Sequence, residues 1–253
     1  MRRIGILCLL LLLLTGCQKG IFYVEPEVYE TQVRTLGIVP ILVDPAVPIG
    51  HDEGERVVQA LLAAGKGVAP LLAEKLRSEK EYFDVRAIEA EPRQLAARLL
   101  LPGTSQGGTR GYQLDAAVVR QLAEENVVDG LLLIVLRGEK RAEKRFDRNS
   151  FLFLEAVYQR IEAEAIVVLP DGRLVWEFPA EESYKLLDLE YPDFDEAHFN
   201  RTDEVRIHQI TLAGIERALA PRQGEGTAAL SEPYGDLLWK LIHELRRNKL
   251  RFW

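Results

Sequence analysis

With 253 residues, 47% hydrophobic and 28% charged, the chain is an ordinary globular protein with room for one large domain or two small ones, and not a disordered polymer. Its formal charge of −7 argues against nucleic acid or an anionic membrane as a partner of its bulk field. Both cysteines fall within the first seventeen residues, so no disulfide framework or cysteine metal site is available to the rest.

The chain opens with Met1-Arg2-Arg3, an apolar run from Ile4 to Leu14, and then Thr15-Gly16-Cys17. That is the order of a secretory signal, and its apolar run of about eleven residues falls well short of the roughly 20 needed to span a bilayer. Leu14-Thr15-Gly16-Cys17 resembles the lipobox of bacterial lipoproteins. The resemblance implies that residues 1–16 are a signal peptide, that Cys17 carries a diacylglycerol on its sulfur, and that its new amine is acylated. Gln18, where an Asp would favour inner-membrane retention, further implies an outer-membrane anchor with the body in the periplasm. Losing Arg2 and Arg3 from the 32 basic residues, against 39 acids, takes the mature charge to −9. Cys8 leaves with the signal. No other apolar run reads as membrane-length, so the lipid is the expected anchor; at about 0.8 kcal/mol per buried methylene, two or three acyl chains hold firmly.

Residues 17–33 read as the lipidated N-terminus and a tether, with Ile21, Phe22, Tyr23 and Val24 apolar enough to pack on something. Residues 34–220 read as an α/β domain. Thr35 to Val43 predicts a buried strand, interrupted or bulged at Pro40. Asp52 and Glu55 form a capping-box pattern for a helix from about Gly54, which Gly65, Gly67 and Pro70 should split or kink. A second strand follows over 82–88, and Pro92 starts a short helix ending at Pro102-Gly103. Leu114 to Leu122 marks another helix, closing near Asn126, and Val127 to Leu136 a third buried strand. After a charged insert at 137–148, the alternation of Ile161, Ala163, Ala165, Val167 and Leu169 predicts a half-exposed strand. Pro170-Asp171-Gly172 turns it back into a partner over 174–178. The acidic segment 179–202 reads as a long surface loop, followed by a helix over 203–220. Residues 221–253 are the C-terminal helix and tail, with Leu237, Leu238, Leu241, Ile242 and Leu245 on one face. The fold expected is α/β: a mixed sheet of parallel strands plus a C-terminal antiparallel hairpin, packed with helices and followed by C-terminal helices.

The opening Leu36-Gly37-Ile38-Val39-Pro40, then Tyr82 to Val85, Val128-Asp129-Gly130-Leu131-Leu132 and Leu169-Pro170-Asp171-Gly172-Arg173-Leu174-Val175-Trp176 resemble one periplasmic superfamily. It includes the curli secretion-channel subunit, penicillin-binding-protein activator lipoproteins and the N-terminal domain of the Tol translocation protein B. The resemblance implies an assembly or docking module and carries over no catalytic residue.

Four patterns bear on chemistry. Gly103-Thr104-Ser105-Gln106-Gly107 matches a nucleophile elbow, which requires a strand before Ser105 and a helix directly after; Asp188 with His198 or His208 stands in the right chain order for a triad. His243-Glu244 opens a zinc-helix motif, but Arg247 holds the second ligand position and cannot bind zinc. His198 and His208 with Asp193, Asp195 and Glu196 offer ligand types without a recognised spacing. Residues 137–148 hold six cations and three acids in an otherwise acidic chain. Their Lys140, Arg141, Lys144, Arg145 and Phe146 are the expected partner-docking set, with Phe146 as apolar anchor and an acidic surface as the complement. Reversing the four cations is expected to leave stability unchanged, as for exposed charges generally.

The expectation is a non-catalytic, lipid-anchored periplasmic lipoprotein that helps assemble or regulate an envelope complex, with an envelope protein or a second copy as partner and neither cofactor nor metal. The alternatives are a periplasmic serine hydrolase using Ser105 and a small-ligand-binding lipoprotein.

Overall fold

The structure, a computed structural model, describes residues 20–103, 112–179, 183–200, 204–222 and 230–245. Residues 1–16, the expected signal peptide, and Cys17, Ser105 and Arg247 lie outside the described residues. The fold is α/β, a mixed sheet packed with helices and closed by a C-terminal helix.

β1 (Ile21–Phe22) and α1 (Pro26–Gln32) precede the central strand β2 (Thr35–Ile38). Pro40, which has no N–H to donate, separates β2 from β3 (Leu42–Val43). α2 (Gly54–Gly65) and α3 (Val68–Ser78) divide at Lys66-Gly67. The expected capping box does not form: α2 is capped at Glu53 without a side-chain bond, and Glu55 instead pairs with Arg93 at 3.0 Å. By length and composition residues 54–78 could cross a membrane, contrary to the reading of the sequence. In the fold they break in two and bury Val57, Leu61, Leu72 and Leu76 against the sheet.

β4 (Asp84–Ala87) leads to α4 (Pro92–Leu99), where the Glu91 carboxylate accepts from Arg93 N and Gln94 N. β5 (Leu100–Pro102) pairs antiparallel with β6 (Tyr112–Leu114), and Asp115 caps α5 (Ala116–Asn126). The long strands β7 (Gly130–Phe146) and β8 (Phe153–Val168) follow, then β9 (Leu174–Phe178).

The acidic stretch expected as a surface loop is instead β10 (Tyr184–Asp188), β11 (Glu190–Pro192) and α6 (Phe194–Phe199). The helix expected over 203–220 shortens to α7 (Leu212–Ala218), preceded by β12 (Ile207–Gln209), which pairs with β11. α8 (Glu232–Leu245) buries Leu237, Leu238, Leu241 and Leu245, as its leucine stripe predicts.

The main sheet has the order β1-β9-β8-β7-β2-β4, with β10 also on β8 and β3 on β7. β2 lies parallel to β4 and β7, while β7, β8 and β9 run antiparallel. Two cores flank it. Leu132, Ile134 and Leu136 of β7 face the larger core under α2, α3, α7 and α8; Leu131, Leu133 and Val135 face the smaller one under α4 and α5. Burial on both faces explains why this part of β7 reads as a continuous apolar run.

The expected tether is largely built into the body. Ile21 and Phe22 pair with Glu177 and Trp176, and Tyr29 and Val33 are fully buried. Gly20 N donates to Glu244 Oε2 at 3.1 Å, and a Cβ on Gly20 would stand 2.7 Å from the Trp176 indole nitrogen. Gly20→Val is therefore expected to cost about 1–3 kcal/mol as an overpacked position. A thermal melt unchanged by the substitution would show that this edge is not tightly seated.

Candidate docking surface

β7 and β8 do not stop where the sheet does. Their register runs unbroken from Leu131↔Val168 to Phe146↔Phe153, whereas the last β3 partner of β7 is Leu136. Residues 137–146 and 153–162 thus form a twisted two-stranded arm with β10 along part of one side. The charged insert expected as a loop is one strand of this arm. In the turn at its tip, Asp147 Oδ1 accepts from Phe151 N at 2.8 Å and Leu152 N at 3.0 Å.

Because side chains alternate along a strand, the arm has two unlike faces. One carries a charge ladder. Arg141 Nε meets Glu162 Oε1 at 3.1 Å, and Arg160 bridges Glu162 and Glu143. Arg145 binds Glu143 at 3.0 Å and Asp188 at 2.7 Å, donates to Glu190 O at 2.6 Å, and stacks 3.9 Å over the buried Tyr158 ring. Burial alone pushes the Glu162 carboxyl up, but hydrogen bonds from Ser183, Arg141 and Arg160 outweigh it and hold the group below its ordinary value.

This corrects the docking set drawn from the sequence. Arg141 and Arg145 are engaged by the protein's own carboxylates, and Arg145 is only 15% exposed, so neither is a spare cation for an acidic partner. Reversing Arg145 to Glu would set it against Glu143 and Asp188, so the four-charge reversal is not the neutral change expected from sequence.

The opposite face is mixed, with aromatic residues toward its tip and Glu155 directly across from Lys144. The cross-strand pairs Phe146–Phe153 and Ala142–Val157 lie on it, with Lys144 and Lys140 interleaved. Phe146 is 53% exposed, Phe153 52% and Phe151, at the tip, 86%. The Lys144 ammonium sits 3.5 Å from the Phe153 ring centroid, a cation–π contact that holds the ring in place. Phe151, Phe153 and Val157 escaped the sequence reading. Gln159 and Glu155 stand between them on the same face and break the apolar alternation seen from Ile161 onward.

The remaining candidates are placed as follows. Ser105 falls outside the described residues, and its flanks β5 and β6 pair as an antiparallel ribbon, not as the strand-turn-helix of a nucleophile elbow. Asp193, Glu196 and His208 come together with ligand atoms within 4.8 Å of one another; His198 and Asp195 are not in that group. Asp193 is already occupied, accepting from Arg206 N at 2.6 Å and sharing a 2.9 Å bond with His208 Nε2. The Arg206 backbone bond, with His208 beside it, holds its carboxyl below the usual range. His243 stacks on Trp239, and Glu244 serves Gly20.

No protein-family profile matches the chain, and no curated protein does. Among solved structures, a neuraminyllactose-binding hemagglutinin homolog from Helicobacter pylori is similar at 9% identity and a TM-score of 0.42, over 94% of each chain. A likeness at that level supports no statement about function.

Proposed function

We propose that this chain is a lipid-anchored periplasmic lipoprotein of the outer membrane, a non-catalytic module that docks onto an envelope partner through the aromatic face of its β7–β8 arm. The observation that carries the reading is the cluster of exposed aromatic side chains at the end of a rigid ribbon. Monomeric surfaces scatter their large apolar residues, whereas contiguous ones mark contact sites. The charge ladder ties the arm to β10 and β11 through Asp188 and the Glu190 carbonyl, so the aromatic face is presented in one orientation.

The anchor constrains where that face can be. Cys17 precedes Gly20 by three residues, a reach of at most about 11 Å. Ile21 lies level with Ile166 through β9, and the arm extends about 40 Å beyond that level. An arm pointed straight at the bilayer would drive Arg148 and Asp147 deep into hydrocarbon, at several kcal/mol per charge. The arm therefore lies along the membrane or points away from it.

Two experiments test the reading. Cys17→Ala should abolish acyl labelling and leave the unprocessed precursor; labelling that survives the substitution refutes the anchor. A fluorophosphonate probe should leave Ser105 unmodified, and a covalent adduct there would establish the hydrolase instead.

A further inference from the structure

The strand order holds a second feature, independent of the arm. From β2 and β3 the chain crosses through α2 and α3 on one face of the sheet to β4. From β4 it crosses through α4 and α5 on the other face to β7. The carboxyl end of β2–β3 is thus a topological switch point, where helices diverging to opposite faces leave an opening and where open α/β sheets commonly bind ligands.

A crevice of about 390 Å³ lies there, between the first turns of α2 and α4. That is the size of a small-molecule site. Val43, Pro48, Val58, Leu62 and Ala96 supply apolar walls, and Asp44 a carboxylate. Glu55 and Arg93 at its rim pair with each other across the two helices at 3.0 Å.

Asp44 is the informative group. It is 2% exposed. Its Oδ1 accepts from Ala46 N at 2.9 Å, while its Oδ2 is buried with no hydrogen-bond partner among the described residues. A buried carboxylate oxygen without a donor is costly, and native structures satisfy such atoms from within or with a ligand. Of the two carboxylates in the lining, Glu55 is already paired with Arg93, and Asp44 alone is too poor an oxygen set for calcium or magnesium. It is well matched to a single ammonium group, which supplies charge and donors together.

We infer that the switch-point crevice binds a small apolar monoamine, with its ammonium on Asp44 Oδ2 and its hydrocarbon body against Val43, Val58, Leu62 and Ala96. The site does not depend on the docking role of the arm, and either can hold without the other.

The test is titration of the purified lipoprotein, in matched detergent, with a series of primary amines from butylammonium to 2-phenylethylammonium, and with 2-phenylethanol as the neutral counterpart. Asp44→Asn keeps an oxygen for Ala46 N while removing the charge, and is expected to weaken the best amine at least tenfold. The alcohol should bind at least tenfold more weakly than its amine to the unmodified protein. Val58→Trp, which fills the crevice and leaves Asp44 intact, should abolish binding, so the test survives if the Asp44 variant folds poorly. Equal affinity for amine and alcohol, unchanged binding in folded Asp44→Asn, or no binding by any amine up to about 10 mM overturns the inference.

Discussion

Replacing Phe146, Phe151 and Phe153 together with serine is expected to abolish recovery of the proposed envelope partner while lowering the melting temperature by no more than a few degrees. The two effects separate because the three rings are exposed in the free protein and would be covered only in the complex. Substitution at exposed sites usually changes stability by within about 0.5 kcal/mol, and loss of the Phe146–Phe153 cross-strand pair adds about 0.2–1 kcal/mol. In a complex, aromatic anchors at the centre of an interface each contribute about 2 kcal/mol or more. At about 1.4 kcal/mol per factor of ten, losing even two of them weakens binding more than a hundredfold. Lys140→Glu with Lys144→Glu is the companion variant, since these cations are exposed on the same face as Phe146. It should slow association and change its salt dependence more than it lowers final affinity. Full partner recovery by the triple serine variant at unchanged salt would remove the arm from the account.

Loss of Glu162 should destabilise the arm. Its side chain is 4% exposed and accepts from Arg160, itself 13% exposed, and from Arg141. Glu162→Gln leaves the better-buried guanidinium with Glu143 as its remaining ionised acceptor, an expected cost of about 1–3 kcal/mol. The Arg141 bridge adds little, because that guanidinium is half exposed and screened. The pH dependence follows from the depressed carboxyl. Glu162 stays ionised in the folded protein below the pH at which an unfolded Glu protonates, so its stabilisation is fully present above about 4.5. It is lost as pH falls through the lower folded value. The gap in melting temperature between the two proteins should therefore close on acidification from pH 7 toward pH 3. A gap that stays constant would show that Glu162 is not held as a carboxylate by the ladder.

The parts of the fold legible in sequence are those where one periodicity or one punctuating residue decides. Pro40 broke the first strand, Gly67 split the long helix, and Pro170-Asp171-Gly172 turned β8 into β9, each through local chemistry that tertiary context did not override. The leucine stripe of α8 was likewise sufficient. The arm was not legible because its strand residues are charged: Arg137 to Arg145 look like solvated loop until Glu143, Glu162 and Asp188 are seen beside them. Those partners come from β8 and β10, and long-range pairing of that kind leaves no spacing in the chain. β10, β11 and α6 were missed for a related reason, since an acidic, Pro-interrupted segment reads as loop unless the strand it pairs with is known. Of the docking set, Phe146 and the lysines kept their place on an exposed face. Arg141 and Arg145 changed role because burial and partners, not residue type, decide whether a cation is available.

The central claim, that the arm is where this protein meets its partner, is tested most directly by site-specific photocrosslinking in the native envelope. A photoreactive residue at Phe151 should give a discrete adduct, whether with another envelope protein or with a second copy of this chain. The same residue at Phe83, which is 81% exposed on β4's side of the sheet, should give none. A Phe151 probe that yields no adduct, or the same diffuse products as Phe83, contradicts it.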